Sequence, residues 1–160
     1  MLPSEHIKDT NIKMQENSAQ EVIKKGSIRN FKGDNKIFSG DVSVEIMFVS
    51  NAWRDFSGGL VTFAPKARSA WHMHPKGQTL IVIDGSIITA TKDGSVSIAN
   101  KGDVISCPPN VEHFHGALDS KSGSHIALTG EVDGKNVTWL EKINDKEYEK
   151  FLKDAKKNKK

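Results

Sequence analysis

An all-β protein, an antiparallel sandwich or barrel, is what this 160-residue sequence predicts. Two patterns carry that expectation. From about Asp41 the apolar residues follow a period of two in short runs, as half-buried strands require. The runs are separated at steady intervals by Gly, Asp and Asn, the residues that tight turns favour. A third pattern adds one helix. Near the C-terminus the apolar period lengthens towards 3.6, behind a residue pair suited to helix capping.

In chain order, residues 1–30 are polar and lysine-rich and read as an arm, with a short helix expected from roughly Ser18 to Lys25. Val42, Val44, Ile46 and Phe48 then alternate with Ser43, Glu45 and Met47 as a first clear strand. The runs LVTFAP, SAWHMHP, TLIVID, SIITAT, SVSIAN, DVISCP, EHFHGA, SHIALTG and NVTWLEKI follow. Their separators include Gly58-Gly59, Asp84-Gly85, Asp93-Gly94, Lys101-Gly102 and Asp133-Gly134. In TKDGSVSI, Asp93-Gly94 is expected to supply the left-handed residues of a tight hairpin. Asn144 as N-cap and Glu147 at N3 form a capping box, and Tyr148, Phe151 and Leu152 share one helix face. A helix over about 145–155 should therefore dock outside the sheet. No internal repeat is present, so one barrel domain with its helix is placed at 31–155, between the arm at 1–30 and a lysine-rich tail at 156–160.

Composition narrows the function. At 17.6 kDa the chain suits one core, and no apolar run approaches the ~20 residues of a membrane span. The start of the sequence lacks a signal-peptide h-region. A bacterial cytoplasmic location is expected, with a leader removed before residue 1 left open. The net charge of +3 is local: the last eight residues, KDAKKNKK, carry five Lys and one Asp, leaving −1 on the rest. Without a basic face interleaved with aromatics, nucleic acid is not an expected partner. The lone Cys107 excludes an internal disulfide and reads as a small buried hydrophobe.

Five of the six histidines fall inside the β-rich segment. Residues two apart on a strand share a face, so His72 and His74 look one way, and so do His113 and His115. Met73 and Phe114 between them are apolar, so neither face is plainly solvent and the histidines are expected to look into a barrel interior. Buried imidazoles need partners for both ring nitrogens, and a metal ion satisfies several at once. Trp71, alternating with His72, should point away. Packing roles are expected for Trp53, Trp71 and Trp139, and a structural ion pair for Arg68.

These residues stand in a known arrangement. His72-Met-His74-Pro-Lys-Gly-Gln78, then TLIVID to Gly85, resembles the first motif of the cupin superfamily: His-x-His, a Glu or Gln, then Gly. Gly102-DVISC-Pro108-Pro-Asn110-Val-Glu-His113 resembles the second, with Asn110 in place of the usual Gly and Ala117 in place of its trailing Asn. Asn is the next best residue for a left-handed turn. The stretches ARSAWHMHPKGQTLIV, GDVISCPPNVEHFHGA, SHIA and VTWLEKINDKEY are further similar to the small single-domain cupins that include the manganese-dependent bacterial hydroxynitrile lyases, over roughly residues 35–150.

The resemblance implies a single antiparallel jelly-roll barrel. It implies a metal held by His72, His74, Gln78 and His113, with His115 and His125 as non-ligand, catalytic histidines beside it. It favours manganese, while nitrogen and oxygen donors also suit Fe, Ni, Co or Zn. Four neutral donors leave the charge of a divalent ion uncompensated, and Gln in place of Glu makes such a centre a stronger Lewis acid. An octahedral ion would keep two open positions. Val61, Phe63, Ile81, Ile83 and Ile105 are expected to wall the substrate pocket, which suits a small or aromatic carbonyl compound. Thr129, on the parity of His125 and Ala127, could orient it. The implied activity is that of a metal-dependent lyase on small carbonyl or hydroxy compounds, cleaving or making cyanohydrins. An iron-dependent dioxygenase and a non-catalytic ligand-binding cupin stand as alternatives. Cupin barrels often pair through sheet edges, so a homodimer is expected.

Overall fold

The computed structural model describes residues 19–158. Its strands are β1 (Arg29–Lys32), β2 (Phe38–Ser39), β3 (Val42–Phe48), β4 (Phe56–Phe63), β5 (Arg68–Ser69), β6 (His72–Met73), β7 (Gln78–Thr91), β8 (Val96–Asn100), β9 (Val104–Cys107), β10 (His113–Gly116), β11 (Gly123–Gly130) and β12 (Thr138–Trp139). One helix, α1 (Asp145–Lys157), follows. The strands all pair antiparallel and curl into a barrel-like sheet. No helix among the described residues is long and apolar enough to cross a membrane.

β7 holds the architecture together. Its first half, Gln78–Ile81, pairs with β9 and β11, and its second half, Ser86–Ala90, pairs with β8. Asp84-Gly85, read from the sequence as a separator between strands, is instead a corner inside one long strand. Gly85 has φ +62°, and a Cβ there would stand 2.1 Å from the Ser122 carbonyl oxygen. Only glycine meets both demands, and the bend lets one strand serve both sheets. The hairpin at Asp93-Gly94 also differs in detail. Thr91 N donates to Ser95 O, leaving a three-residue loop in which Gly94 alone is left-handed, at φ +94°. Asp93 stays right-handed because its carboxylate accepts from Ser95 N and Thr91 Oγ1.

The expected helix over Ser18–Lys25 is not formed in its described part, 19–25. So short a segment cannot offset the cost of helix nucleation, and Gly26 turns the chain at φ +75° into β1. The remainder of the arm, 1–18, and the last two residues of the tail lie outside the described residues.

Two apolar layers follow from the alternation. Phe38, Val61, Phe63, Val82 and Ile87 fill the barrel interior. On the other side of the second half of β7 lie Trp71, Ile88 and Phe114, covered by Tyr148, Leu152 and Ala155 of α1. Burying a side chain the size of Ile88, Phe114 or Leu152 is worth about 1.5–3 kcal/mol, so the helix caps a face that would otherwise be exposed. Asn144 accepts from Glu147 N and Glu147 reaches back to Asn144 N, the expected capping box. The buried Arg68 guanidinium joins this end of the helix to the barrel. It donates to the Ile143 carbonyl and pairs with Asp145 at 2.8 Å, while lying over the Tyr148 ring.

Candidate metal centre

The face opposite Trp71 and Phe114 carries the histidines. β10 pairs with β6 so that His113 stands directly across from His72. Two tight turns bring in the rest. Gly77, at φ +74°, reverses the Pro-Lys-Gly step so that β7 begins with Gln78 pointing inward. Asn110, at φ +61°, takes the left-handed turn before His113. The His74 carbonyl accepts from both Gly77 N and Asn110 N, which ties the two histidine-bearing segments together.

The ligand atoms of His72, His74 and His113 lie within 4.8 Å of one another, and all three residues are buried. Each ring is held from behind by a backbone carbonyl: Ala70 for His72 at 2.9 Å, Asn136 for His74 at 2.6 Å, Val111 for His113 at 2.9 Å. A carbonyl only accepts, so each Nδ1 carries the proton and each Nε2 presents a lone pair to the common centre. Gln78 completes the group. Its Nε2 donates to Thr129 Oγ1 at 3.1 Å, which turns Oε1 towards His113 Nε2, 3.4 Å away. His74 Nε2 is buried and, among the described residues, meets no hydrogen-bond partner. Buried polar atoms are rarely left so, and a cation at the centre is the partner that four converging lone pairs fit. These three histidines with Gln78 can therefore hold a divalent ion.

Burial sets the protonation states. It lowers the pKa of His113 to about 4 and holds His74 below the usual imidazole range. Burial, with a smaller push from His113, keeps His72 well below that range. The rings are thus neutral near pH 7, the form that binds metals. Behind His113, Cys107 Sγ lies 3.1 Å from Nδ1, and burial pushes its thiol up to about 11. It is a neutral packing neighbour, as its sequence context suggests.

Two further histidines extend the row. His115 Nε2 is 3.2 Å from His72 Nε2, and His115 Nδ1 is 3.0 Å from His125 Nε2. Both rings are buried. Burial, reinforced by His125 and His72, holds His115 well below the imidazole range, and burial alone lowers His125 to about 3. Phe63 packs behind them, edge-on to the His115 ring with centres 5.8 Å apart and tilted against that of His125 at 5.6 Å.

Beside this row opens a cavity of about 240 Å³, lined by Val61, Ala127 and Thr129 and by the aromatic rings of Phe31, Phe38 and Trp139. Drug-sized ligands need roughly 300–1,000 Å³, so this space suits a smaller molecule. Of the six residues expected at the pocket, Val61 and Thr129 line it and Phe63 backs the histidines. Ile81, Ile83 and Ile105 are not brought to it, and the reason is parity. With Gln78 pointing inward, Leu80 and Val82 follow it, and Ile81 and Ile83 face out, Ile83 at 37% exposure. Ile105 pairs with Leu80 on the outermost strand of that sheet and packs against the core away from the cavity.

Trp139 belongs to the site in a way the sequence did not indicate. It pairs across from His72, with ring centres 4.7 Å apart. β12 is only two residues long, and nothing in NVTWLEKI announces its partner. The Asn136 carbonyl, which holds His74, is a backbone group and has no side-chain signature. Trp71 packs under the helix as expected, whereas Trp53 is 67% exposed beside Arg54.

A cupin-domain family model matches residues 59–127. Over 128 residues, 80% of this chain and 98% of the relative, the sequence is 38% identical to an (R)-mandelonitrile lyase of Granulicella tundricola. A crystal structure of a cupin-like protein from Thermotoga maritima superposes with a TM-score of 0.72 at 34% identity, covering 82% of this chain and 97% of that one. The polyketide cyclase RemF of Streptomyces resistomycificus, at 12% identity and a TM-score of 0.63 over 82% of this chain and 92% of its own, shares the fold alone.

Proposed function

The chain belongs to the cupin family, and from that premise we propose that it is a metal-dependent lyase that cleaves small cyanohydrins to a carbonyl compound and cyanide, and forms them in reverse. The observation that supports this reading is the convergence of three backbone-anchored imidazoles and one amide oxygen on a centre beside a fourth imidazole, held by His125 instead of a backbone carbonyl, and a small apolar cavity. His72, His74, Gln78 and His113 would hold one divalent ion, with manganese favoured by the similarity and Fe, Ni, Co or Zn compatible with the donors. When bound, such an ion supplies a Lewis-acidic positive centre, with no carboxylate in the metal-ligating group found among the described residues.

The roles of the other two histidines follow from proton bookkeeping along the row. Once His72 Nε2 is committed as a ligand, it can no longer accept from His115. With its proton on Nδ1, donated to His125 Nε2, His115 turns a lone pair at Nε2 towards the cavity. It accepts the proton of the substrate hydroxyl as the carbon–cyanide bond breaks. The bonding pair leaves on cyanide, the carbonyl forms, and the proton then passes from His115 to cyanide. His125 holds the His115 ring and its tautomer. The apolar walls exclude water and receive the organic part of the substrate. We infer a homodimer as the assembled state.

Metal analysis of the protein as purified, followed by incubation of the manganese-loaded protein with mandelonitrile at mildly acid pH, tests the reading. Benzaldehyde release above the metal-free control is the expected outcome. No release sinks the lyase assignment. Iron-dependent oxygen uptake with a catechol or diketone would replace it with a dioxygenase, and a retained ligand without turnover would replace it with a binding protein.

A further inference from the structure

Glycines inside strands weaken them, because they bring no side chain to pack and lose the most freedom on folding. Each therefore calls for a reason. Twelve of the thirteen glycines in this chain have one: a left-handed φ, or a neighbour that a Cβ would strike at under 3.0 Å. Gly59 has neither. It sits mid-strand in β4 with no positive φ, and a Cβ there would meet only the Glu45 carbonyl oxygen, at an ordinary 3.6 Å. Its neighbour Gly58 shows the contrast, since a Cβ there would lie 2.2 Å from the Phe48 ring. The fold does not require glycine at 59.

The cavity does use the gap. Gly59 shares the inward parity of Val61, and it lines the cavity together with Ala127, directly opposite on β11. On either side of Ala127 along β11 stand Thr129, which pairs with the proposed ligand Gln78, and His125. Ile46 on β3, Gly59's other cross-strand partner, lines the cavity as well. The rings of Trp139 and Phe38 line the same cavity. The smallest pair of facing residues on this sheet face thus lies next to the donors, in a cavity that aromatic rings also line.

We propose that Gly59 is a specificity-determining residue: the bay over Gly59 and Ala127 receives the organic group on the reacting carbon, and the missing side chain at 59 lets that group be a planar ring. The proposal rests on the cyanohydrin reading for the identity of the reacting end, but not for the bay itself.

The test uses manganese-loaded wild type, Gly59→Ala and Gly59→Val, with manganese affinity and Tm measured for each. Benzoate and acetate serve as paired probes, alike at the end that meets the cation and different in the group that meets the bay. Their affinities are read by calorimetry, without turnover. In Gly59→Val the ratio of benzoate to acetate affinity is expected to fall about tenfold or more, with Gly59→Ala between, since single methylenes are worth that much in a fitted pocket. Manganese binding is retained, and Tm is unchanged or raised by a few degrees, because a side chain is added to a strand interior. The kcat/KM ratio of mandelonitrile to acetone cyanohydrin is expected to fall in parallel. An unchanged benzoate-to-acetate ratio with manganese bound overturns the proposal. So does a loss of manganese or a clear drop in Tm in Gly59→Ala, which would give the glycine a structural role. Wild type that turns over neither cyanohydrin defeats the lyase reading alone, and the carboxylate pair still decides the bay.

Discussion

His74 and His125 are both buried imidazoles with one nitrogen lacking a partner among the described residues, yet their surroundings assign them opposite behaviour. His74 has its Nδ1 anchored on Asn136 and its Nε2 aimed at the centre, so His74→Ala is expected to abolish stoichiometric metal binding, read as metal per chain after desalting. His125 touches the centre only through His115. His125→Ala should keep metal bound while turnover falls about 10²–10⁴-fold, the worth of a correctly set general base. Loss of metal in both variants would contradict the division of roles. The buried rings also make a pH prediction for the metal-free protein. In the folded chain His125 titrates at about 3, against about 6.5 when unfolded. Between these values the unfolded chain binds a proton that the native ring refuses, so stability is full above about 6.5 and falls as pH drops towards 3, by at most about 1.4 kcal/mol per pH unit for this one group. The Tm of metal-free wild type should therefore decline from pH 7.5 to 5, and less steeply in His125→Gln. Parallel profiles would mean that His125 is not buried as a neutral ring. At this scale the clustering of the candidate site was legible, because period-two spacing places His72 with His74 and His113 with His115 on shared faces. Ile81 and Ile83 were recoverable too: counting by two from Gln78 reaches Leu80 and Val82 instead. Trp139 was not, since its place depends on a pairing between two-residue strands far apart in sequence.

The elements show where local chemistry suffices and where it fails. The helix could be read almost to the residue, because its start is fixed by a cap that only nearby residues make. Asn144→Ala should cost about 1 kcal/mol, within the 0.5–2 typical of N-caps. Leu152→Ala should cost about 2–5 kcal/mol as a buried truncation. Both are measurable by denaturant unfolding, and both should leave metal affinity unchanged, because α1 packs on the face of the second sheet that looks away from the histidines. A loss of metal in Leu152→Ala would show that the helix layer and the centre are coupled. Asp84-Gly85 misled because a left-handed glycine serves equally in a hairpin and in a corner. What separates them is the Ser122 carbonyl 2.1 Å from where a Cβ would stand, a contact made by a segment almost forty residues later. The arm's expected helix failed for a related reason: lysine-rich residues with few apolar anchors have no face to pack, and propensity alone does not hold so short a helix.

At the scale of the whole molecule, the barrel is a frame that gathers three neutral imidazoles at one buried centre, where they could hold a metal ion. The two sheets meet through β7, which carries Gln78 at its start and lies beside β10 with His113 and His115 at its end. An ion held by His72, His74, Gln78 and His113 would stabilise the fold as mass action requires, by about 2.7 kcal/mol at a hundredfold excess over Kd. Chelation should lower Tm accordingly, and an unchanged Tm would place the metal elsewhere. The cavity of about 240 Å³ beside the centre suits a small molecule. The central claim is that this neutral donor set makes a metal-dependent cyanohydrin lyase. Titrating manganese into metal-free protein while following benzaldehyde release from mandelonitrile tests it most directly. The expected trace rises with added metal and breaks at one equivalent per chain. A flat trace, or release that does not depend on manganese, would contradict it.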